Sequence, residues 1–401
     1  MRPLRVVVVA DFIEPHNFNQ RVLHGVAPYA RLHGWELSQY QIRGPESVHA
    51  SIQNADAVLH GVHPHESNPI FEKTRLPMVG WSAAITKTKW PRVLTDDIAV
   101  GRKVAEHFVA RGFRHFAFYS DTGGMWVGHR EEGFTLRARQ AGGSVYVNRN
   151  ETPGWKQDDV NAWVASLPTP VGLMTANNLA STAIIAACRA TQRSVPDDVA
   201  IVAVNNDDLF CEISDPPLSA VPLQTDQIGF ESAMLLAQLI EKTKGVPHIV
   251  RVQPGELVVR RSSDAMAFSD PDVLEAVRFI KSHFSAGVAT KQVVSHLGVS
   301  RGTLDTKFRE TLGRTIASEI RRMSIEKAKQ LLSTSELPMP TVARHSGFSS
   351  ARQFSETFHQ STGQTPTGYR RQYRIGAIQT SAPQSSDQPD RRSNDLRRPK
   401  Q

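Results

Sequence analysis

The run Val6-Val7-Val8-Val9-Ala10 decides the fold class of the first part of the chain. Its five apolar residues follow one another without polar alternation, which is typical of a strand buried on both faces of a parallel sheet. The next segment, residues 17–33, places Val22 and Val26 on one helical face, and Gly34 ends it. A buried strand followed by an amphipathic helix predicts the first βα unit of an α/β domain.

The alternation of strand and helix continues to about residue 262. We predict strands at residues 35–40, 55–60, 77–81, 93–95, 115–120, 144–148, 171–176 and 199–204, and helices at residues 46–53, 69–73, 98–111, 130–141, 158–166, 178–191 and 225–244. Strands separated by helices of this length indicate βαβ units and a parallel sheet. Because these elements are too many for one small sheet, we predict two α/β lobes over residues 1–262, with a cleft between them.

The cleft is the expected ligand site, because doubly wound sheets bind ligands outside the carboxyl ends of their strands. Its candidate residues follow the predicted strands or lie on the helix after the first strand: Asp11, Phe12, Arg21, Trp81, Arg130, Asn177, Asn206 and Asp207. Carboxylates, amides and guanidinium groups exchange hydrogen bonds with sugar hydroxyls, and aromatic rings stack on sugar faces. Taken singly, each Asp or Asn could instead cap the following helix or form a turn. As a set, they favour a site for a small sugar.

An enzyme is the competing interpretation of the same carboxylates. Asp96-Asp97 and Asp207-Asp208 could serve general acid–base chemistry, although adjacent residues of a strand point to opposite faces. The sequence contains no Walker A, G-x-S-x-G or H-E-x-x-H motif, and no metal-ligand spacing surrounds its two cysteines. We therefore expect no metal, no cofactor and no catalysis. Cys188 lies in an apolar run, which favours a buried structural thiol.

The positive charge of the chain is concentrated in its last third. The net charge is +8, but residues 1–265 hold 26 Lys or Arg against 27 Asp or Glu, whereas residues 266–401 hold 21 against 12. Such asymmetry predicts a nucleic-acid or membrane module on the basic side. The sequence has no signal peptide and no apolar stretch near the ~18 residues of a membrane span, so we expect a cytoplasmic protein that binds nucleic acid.

Two helix-turn-helix units are predicted within residues 271–375. In the first, Thr290 caps a helix at residues 291–297, Gly298 makes the turn, Ser300 caps again, and a helix runs over residues 301–312. The second repeats this order, with helices at residues 339–346 and 350–362, Gly347 in the turn and Ser349 as the cap. A helix at residues 316–332 joins the two units. Each second helix ends at a glycine, Gly313 or Gly363.

Two such units on one rigid helix could place two recognition helices in successive major grooves, which lie about 34–36 Å apart. The expected DNA-binding residues lie early on each second helix or close to it: Ser300, Arg301, Thr303, Thr306, Lys307, Ser349, Ser350, Arg352, Gln353, Glu356 and Arg370. Arg can fork onto guanine and Gln onto adenine. Phosphate contacts, which set affinity rather than sequence preference, are expected from Lys307, Arg309, Arg314, Arg321, Arg322 and Arg370. The alternative is a solvated basic helical bundle.

The second unit resembles the signature of the AraC/XylS family of transcription regulators. The resemblance rests on Gly347-Phe348-Ser349, Phe354, Phe358, Gly363-Gln364-Thr365-Pro366 and Tyr369-Arg370. It implies a DNA-binding domain of two helix-turn-helix units. The sequence departs from the family pattern at Ser324, where Arg is common, and at Val294, where a small Ala is usual.

The first two thirds are similar to the effector domain of LacI/GalR regulators, which has the periplasmic-binding-protein fold. The carriers are Arg130 with Gly133-Phe134, the stretch Met174-Thr175-Ala176-Asn177, and residues 202–208. The resemblance implies that Arg130 and Asp207 bind effector hydroxyls and that Asn177 lines the same cleft. At Asn205-Asn206 this sequence departs from the usual Gly-aromatic pair.

These observations predict a two-lobed effector domain over residues 1–262, a linker at residues 263–270, a DNA-binding domain over residues 271–375 and a disordered basic tail over residues 376–401. The expected function is that of a transcription regulator, by preference an activator, controlled by a small sugar such as xylose or another pentose. Its expected partners are an operator in double-stranded DNA, a second copy of the chain and RNA polymerase. Two alternatives stay open: a sugar-processing enzyme with a DNA-binding appendage, and a constitutive DNA binder with a structural sensor domain.

Overall fold

The computed structural model describes residues 2–13, 18–41, 52–61, 71, 73–83, 88–149, 156–268, 270–283 and 287–373. Within these ranges the chain forms two α/β lobes followed by a helical module, which confirms the predicted fold class. The tail at residues 376–401 and most of the helices predicted at residues 46–53 and 69–73 lie outside the described residues.

The first lobe is built on a six-stranded parallel sheet. Its strands are β1 (Leu4–Ala10), β2 (Trp35–Gln41), β3 (Ala57–Gly61), β4 (Met78–Gly80), β5 (Arg92–Thr95) and β11 (Ile249–Val252). They are arranged in the order β11-β5-β4-β3-β1-β2. Helix α1 (Phe18–Leu32) packs against helix α7 (Thr225–Ile240) on this sheet. Val6 and Val8 of β1 are fully buried, as the continuous apolar run predicts.

The second lobe is built on a five-stranded parallel sheet. Its strands are β6 (His115–Ser120), β7 (Ser144–Arg149), β8 (Val171–Thr175), β9 (Val199–Val204) and β10 (Ser219–Val221). They are arranged in the order β10-β9-β8-β6-β7. Its helices are α2 (Asp97–Ala110), α3 (Met125–Gln140), α4 (Gln157–Ser166), α5 (Asn178–Ala190) and α6 (Asp208–Ile213).

The chain crosses between the lobes three times. It leaves β5 of the first lobe for α2 of the second, and returns from β10 to α7 of the first lobe. After β11 it crosses again, and Val258 pairs with Ala220 of the second lobe. Strands β10 and β11 were not predicted, because strands of three and four residues are too short for a periodic signal.

In each lobe a helix pair touches backbone to backbone at glycines. A Cβ on Gly25 of α1 would lie 1.9 Å from the carbonyl oxygen of Asp226 in α7. In the second lobe, a Cβ on Gly101 of α2 would lie 1.9 Å from the carbonyl oxygen of Arg130 in α3. The backbones of α2 and α3 are therefore in direct contact at Arg130.

The helical module consists of α8 (Pro271–His283), α9 (Thr290–Leu297), α10 (Arg301–Leu312), α11 (Ile316–Thr334), α12 (Met339–His345), α13 (Ala351–Thr362) and α14 (Pro366–Tyr373). It has two hydrophobic cores. Phe308 and Ile316 lie in the first core, whereas Leu332, Phe354 and Phe358 lie in the second. Helix α11 contributes to both cores and so joins the two helix-turn-helix units, as predicted.

Several predicted helix boundaries are wrong by one to five residues. Helix α3 begins at Met125 rather than at residue 130. Thr290 is the first residue of α9 rather than its cap, because Ala289 precedes the helix in extended conformation. Ser350, not Ser349, is the N-cap of α13, since its hydroxyl accepts from the Gln353 amide. Helix α7 ends at Ile240 rather than at residue 244, because Lys242 has a positive φ of 56°.

Both cysteines are buried, which confirms the structural interpretation of Cys188, and burial raises the pKa of each thiol to about 12. Among the described residues, no helix is both long and apolar enough to cross a membrane.

Candidate effector cleft and DNA-reading helices

Polar groups at the carboxyl ends of the first-lobe strands form one hydrogen-bond network. The Gln41 side chain donates to Oδ1 of Asp11 at 2.7 Å and accepts from the Phe12 amide at 2.7 Å. Asn19 donates to the Asp11 carbonyl at 2.8 Å and accepts from Nε1 of Trp81 at 2.7 Å. Asp11, Phe12 and Trp81 were predicted site residues, whereas Asn19 and Gln41, which hold them in place from other elements, were not predicted.

The two predicted aromatic site residues belong to the hydrophobic core of the first lobe. Phe12 is 5% exposed and Trp81 is 3% exposed. In this arrangement neither ring presents a face to solvent for stacking. Trp81 is fixed at the cleft side of the sheet by its hydrogen bond to Asn19.

Arg130 lies at the centre of the second lobe's side of the cleft. Its Nε donates to Asp97 at 2.8 Å, and its Nη1 donates to the carbonyl oxygen of Ala176 at 2.6 Å. The guanidinium also lies 4.4 Å from the centroid of the Trp126 ring, a cation–π distance. Arg130 is 5% exposed, so these contacts fix a buried charge in one position.

Asp97 is the counter-charge of Arg130 and the first residue of helix α2. Burial raises the pKa of the Asp97 carboxyl, and the ion pair with Arg130 partly opposes that rise. Asp97 was predicted only as a carboxylate of the enzyme alternative and not as a residue of the cleft. Its position directly after β5, at the carboxyl end of a strand, was a signal that could have placed it in the cleft.

Three more predicted residues follow β8 and β9. Asn177 is the N-cap of α5 and accepts from the Ala180 amide at 2.8 Å. Asp207 is the N-cap of α6 and accepts from the Phe210 amide at 2.9 Å. The capping role that the sequence left open for single Asp and Asn residues is therefore present at both positions.

Asn206 lies in a turn with unusual backbone geometry. Asn205 and Asn206 have φ angles of 98° and 35°, in the region that few non-glycine residues adopt. The Asn206 side chain donates to Asp208 at 3.0 Å and accepts from Arg260 at 2.8 Å. Strained turns of this kind persist where the surroundings hold them, often at functional sites.

The two lobes meet across the cleft at one predicted residue. Arg21 of α1 donates to the carbonyl oxygen of Asn205, which follows β9, at 3.2 Å. Since Arg21 belongs to the first lobe and Asn205 to the second, this contact spans the cleft.

The carboxylate pairs considered for catalysis are engaged separately. Asp96 caps α2 by accepting from the Ala99 amide, whereas Asp97 pairs with Arg130. Asp207 caps α6, whereas Asp208 accepts from Asn206. Among the residues that the structure describes, no group of three His, Cys, Asp or Glu side chains could hold a metal ion.

On α10, the predicted DNA-binding residues lie on an exposed face. Ser300 caps the helix, as predicted, and its hydroxyl lies 2.8 Å from that of Thr303. Arg301, Thr303 and Thr306 are exposed, while Leu304 and Phe308 turn into the core. This alternation gives α10 one outward polar face.

On α13, Arg352 and Glu356 form an exposed ion pair at 2.9 Å on the same outward face as Gln353. The Gln353 side chain accepts from the hydroxyl of Ser349 at 2.7 Å. Ser349 therefore fixes a predicted base-reading side chain rather than capping the helix. The Arg352 guanidinium is 89% exposed, so it can exchange Glu356 for another partner at small cost.

Lys307 and Arg370, two of the predicted DNA-binding residues, make hydrogen bonds within the protein. Lys307 pairs with Asp270 at 3.1 Å and with Asp272 at 2.5 Å. The hydrogen bonds that Lys307 donates to Asp272 and Asp270 raise the pKa of its ammonium group. Arg370 donates to the carbonyl oxygen of Leu337 at 2.6 Å. The contacts of Lys307 and Arg370 position helices of the module against one another.

The helical module is docked on the second lobe. Glu256 accepts from Lys103 of α2 at 2.8 Å and from the hydroxyl of Tyr369 in α14. Arg314 donates to the carbonyl oxygen of Ala110, at the end of α2. Burial alone would raise the pKa of the Glu256 carboxyl, but the charges of Lys103 and Lys329 and the hydrogen bonds from Lys103 and Tyr369 hold it below its usual value.

The segment predicted as a linker is part of this interface. The Ala267 amide donates to the carbonyl oxygen of Arg111 at 2.8 Å. Phe268 packs over Gly112 and belongs to the first core of the helical module. The hydroxyl of Ser263 lies 2.9 Å from the His107 ring. Residues 263–268 thus join α2 to the helical module by backbone and side-chain contacts.

Two α/β lobes around a polar cleft, followed by two helix-turn-helix units on a shared helix, define a two-part transcription regulator. The family described as periplasmic binding protein-like domain matches residues 105–263, and the family described as helix-turn-helix domain matches residues 293–372. The chain carries a periplasmic-binding-protein-like domain followed by an AraC-type helix-turn-helix domain.

The chain is homologous to xylose operon regulatory proteins. It is 26% identical over 370 residues to the xylose operon regulatory protein of Escherichia coli K12, which covers 88% of this chain and 94% of that protein. It is 34% identical over 102 residues to the arabinose operon regulatory protein of the same organism, which covers 25% of this chain and 35% of that protein. These homologues are transcription regulators, so the enzyme alternative is rejected.

A solved structure described as the xylose-binding transcription activator XylR shares the fold. It covers 94% of this chain and 100% of its own, with 23% sequence identity and a TM-score of 0.58.

Proposed function

We propose that this chain is a transcription regulator in which a small sugar, bound between the two lobes, controls how the helical module binds DNA. The observation that carries the proposal is the buried ion pair of Arg130 and Asp97, because it joins the cleft to the first residue of helix α2. The other end of α2 contacts the helical module through Ala110 and the residues after it.

The effector is a pentose, with xylose as the first candidate. The names of the homologous operon regulators support this choice. The site consists of the predicted residues Asp11, Phe12, Arg21, Trp81, Arg130, Asn177, Asn206 and Asp207, with the buried rings of Phe12 and Trp81 as apolar support for the polar groups rather than as stacking surfaces. Hydroxyl groups of the sugar replace hydrogen bonds within the cleft, with Arg130 and Asp207 as donor and acceptor.

Closure of the lobes is transmitted by helix α2. A sugar that binds the closed cleft more tightly than the open cleft shifts the equilibrium towards closure. Helix α2 moves as one body with α3, because Gly101 brings the two backbones into contact at Arg130. The residues after α2 then shift relative to the module that rests on them.

DNA is bound by α10 and α13. Helix α11 has 19 residues and is therefore about 28 Å long, a length suited to holding two recognition helices near successive major grooves. The regulator acts in the cytoplasm as a homodimer on repeated half-sites, and it activates transcription through RNA polymerase.

Calorimetry on the full chain tests the sugar site. Titration with a series of pentoses and hexoses should give binding with at least one pentose, and Asp207→Asn should weaken it about tenfold or more. Asp215→Asn, which changes an exposed carboxylate on the same lobe, is the matched control and should leave affinity unchanged. If no sugar binds, the sensor domain is structural and the constitutive alternative holds.

Binding to a specific and a random DNA duplex tests the reading helices. Arg352→Ala should weaken specific binding more than non-specific binding, because base contacts specify and phosphate contacts do not. Arg309→Ala, at an expected phosphate contact, should weaken both by similar factors. Equal losses for Arg352→Ala on the two duplexes would refute its base-reading role.

A further inference from the structure

A second cavity lies outside the cleft, between the end of α2 and helix α11. It has a volume of about 550 Å³, within the range of sites that hold small molecules. Its walls come from both parts of the chain, with Lys103 and Arg111 on the lobe side and Arg322 and Lys327 on the side of the helical module. It exists only when the helical module is docked on the second lobe.

The described lining of this cavity is strongly basic. Eight Lys or Arg side chains and four Asp or Glu side chains border it. Each of the four carboxylates already has a basic partner: Glu106 with Arg137, Glu256 with Lys103, Asp264 with Lys281, and Glu326 with Lys329. A fifth carboxylate, Glu319, is buried behind the wall and is shared by Arg314 and Arg322. The positive charge of the cavity therefore exceeds its negative charge by three.

Arg111 and Lys327 are the lining cations without a carboxylate within ion-pair distance among the described residues. The hydrogen bond from the Arg111 guanidinium is a long one, 3.4 Å, to the carbonyl oxygen of His107. Lys327 donates to the neutral side chain of Gln330 at 3.1 Å. Burial, together with the nearby charge of Arg322, lowers the pKa of Arg111 to about 10. The carboxylates of Asp264, Glu326 and Glu319 act on this guanidinium from a distance, but among the described residues none of them forms an ion pair with it.

We propose that this interdomain cavity binds a small phosphorylated metabolite, with its phosphate group held by Arg111 and Lys327. A phosphate group carries a charge of about −1.5 to −2 near neutral pH, which matches the excess positive charge. The planar fork of Arg111 fits two phosphate oxygens, and Lys327 supplies a mobile point charge. The remaining volume accommodates the sugar portion of a sugar phosphate.

Such a ligand is a second regulatory input, separate from the cleft. Because it contacts both the lobe and the helical module, it binds the docked arrangement and stabilises it by mass action. It therefore opposes any movement of the module that depends on undocking.

Calorimetry on the full chain, in phosphate-free buffer, tests the site with ribose 5-phosphate, inorganic phosphate and ribose as probes. We expect ribose 5-phosphate to bind, and R111Q and K327Q each to weaken it about tenfold or more. R102Q is the matched control, since Arg102 is exposed on the same helix and does not line the cavity. Pentose binding in the cleft should be unchanged in R111Q, which separates this site from the proposed effector site.

The two phosphate probes distinguish the sources of the phosphate group. Tighter binding of ribose 5-phosphate than of inorganic phosphate assigns the site to a phosphorylated sugar, and equal binding assigns it to free phosphate. The proposal is overturned if neither phosphate binds, or if both variants bind like the unchanged protein. It is also overturned if R111Q and K327Q weaken binding to a DNA fragment but to neither phosphate. Thermal melts verify that each variant is folded. If R111Q does not fold, K327Q, a change at a half-buried residue, still tests the site.

Discussion

At the scale of single residues, the cleft depends on one buried ion pair. The side chains of Asp97 and Arg130 are 4% and 7% exposed, and removing one partner of such a pair leaves the other charge buried and unpaired. We expect Asp97→Ala to lower the free energy of unfolding by about 3–5 kcal/mol. The midpoint of urea unfolding measures this loss.

The exposed pair of Arg189 and Asp215 is the control for this prediction. Its side chains are 62% and 82% exposed, so Asp215→Ala should change stability by less than about 1 kcal/mol. If Asp97→Ala and Asp215→Ala lower the free energy of unfolding by similar amounts, burial is not the reason that the Asp97–Arg130 pair stabilises the fold.

His60 gives the first lobe a dependence on pH. Its ring is buried between Phe71 and Trp90, and neither ring nitrogen has a hydrogen-bond partner among the described residues. Burial, with the nearby charge of Arg92, lowers the pKa of His60 to about 3. Between pH 6.5 and 3 the unfolded chain binds the proton and the folded chain does not, so stability falls as pH falls through this window.

We expect His60→Leu to make the unfolding midpoint less dependent on pH between 6.5 and 3. The full effect of the histidine is on the order of 4–5 kcal/mol, at about 1.4 kcal/mol for each pKa unit. Urea unfolding at a series of pH values measures it for both proteins. If the unfolding midpoints of the two proteins change with pH in the same way, His60 is not the source of the pH dependence.

At the scale of elements, the contact between α2 and α3 decides whether the cleft can act on the helical module. Gly101→Ala places a methyl group 1.9 Å from the Arg130 carbonyl oxygen, so the helices must separate. Overpacking of this kind costs about 1–3 kcal/mol. We also expect pentose affinity to fall, because Arg130 shifts with its helix.

Gly128→Ala is the matched control on α3. A Cβ at Gly128 meets no atom within 4 Å, and alanine favours the helix by about 1 kcal/mol. Thermal melts should therefore show a loss of stability for Gly101→Ala and no loss for Gly128→Ala. A loss for both variants would mean that the close helix contact is not the cause.

At the scale of the whole molecule, Glu256 holds the helical module against the second lobe. Its carboxyl has a lowered pKa, so its stabilising contribution is present above about pH 4.5 and is lost as pH falls through the folded-state pKa. We expect Glu256→Gln to weaken docking at neutral pH, because Lys103 loses its counter-charge and Tyr369 loses a charged acceptor.

Limited proteolysis of residues 263–268 and the radius of gyration measure docking. Glu256→Gln should be cleaved faster than the unchanged protein, and its radius should be larger. Glu106→Gln, at a half-exposed carboxylate 3.8 Å from Arg137, should behave like the unchanged protein. If the Glu256→Gln variant stays docked, Phe268 and the backbone contacts, rather than Glu256, hold the helical module on the second lobe.

Local sequence patterns are enough to predict the two lobes, the two helix-turn-helix units and the outward face of each reading helix. The local signals that predict them are the apolar run at Val6–Ala10, the glycines after each recognition helix, and the spacing of Phe354 and Phe358. The N-cap of α13 was displaced by one residue because two adjacent serines, Ser349 and Ser350, carry the same local signal.

The pairing of charged side chains, in contrast, depends on tertiary packing. Arg130 and Asp97 are 33 residues apart in the chain, and Glu256 and Tyr369 are 113 residues apart. The sequence placed Lys307 at a DNA phosphate, but folding brings it to Asp270 and Asp272. No local sequence signal distinguishes Arg111 from the other basic residues. Local periodicity specifies helices and strands. The partner of a long charged side chain depends instead on which elements pack together, and this packing is complete only when the helical module is docked on the lobes.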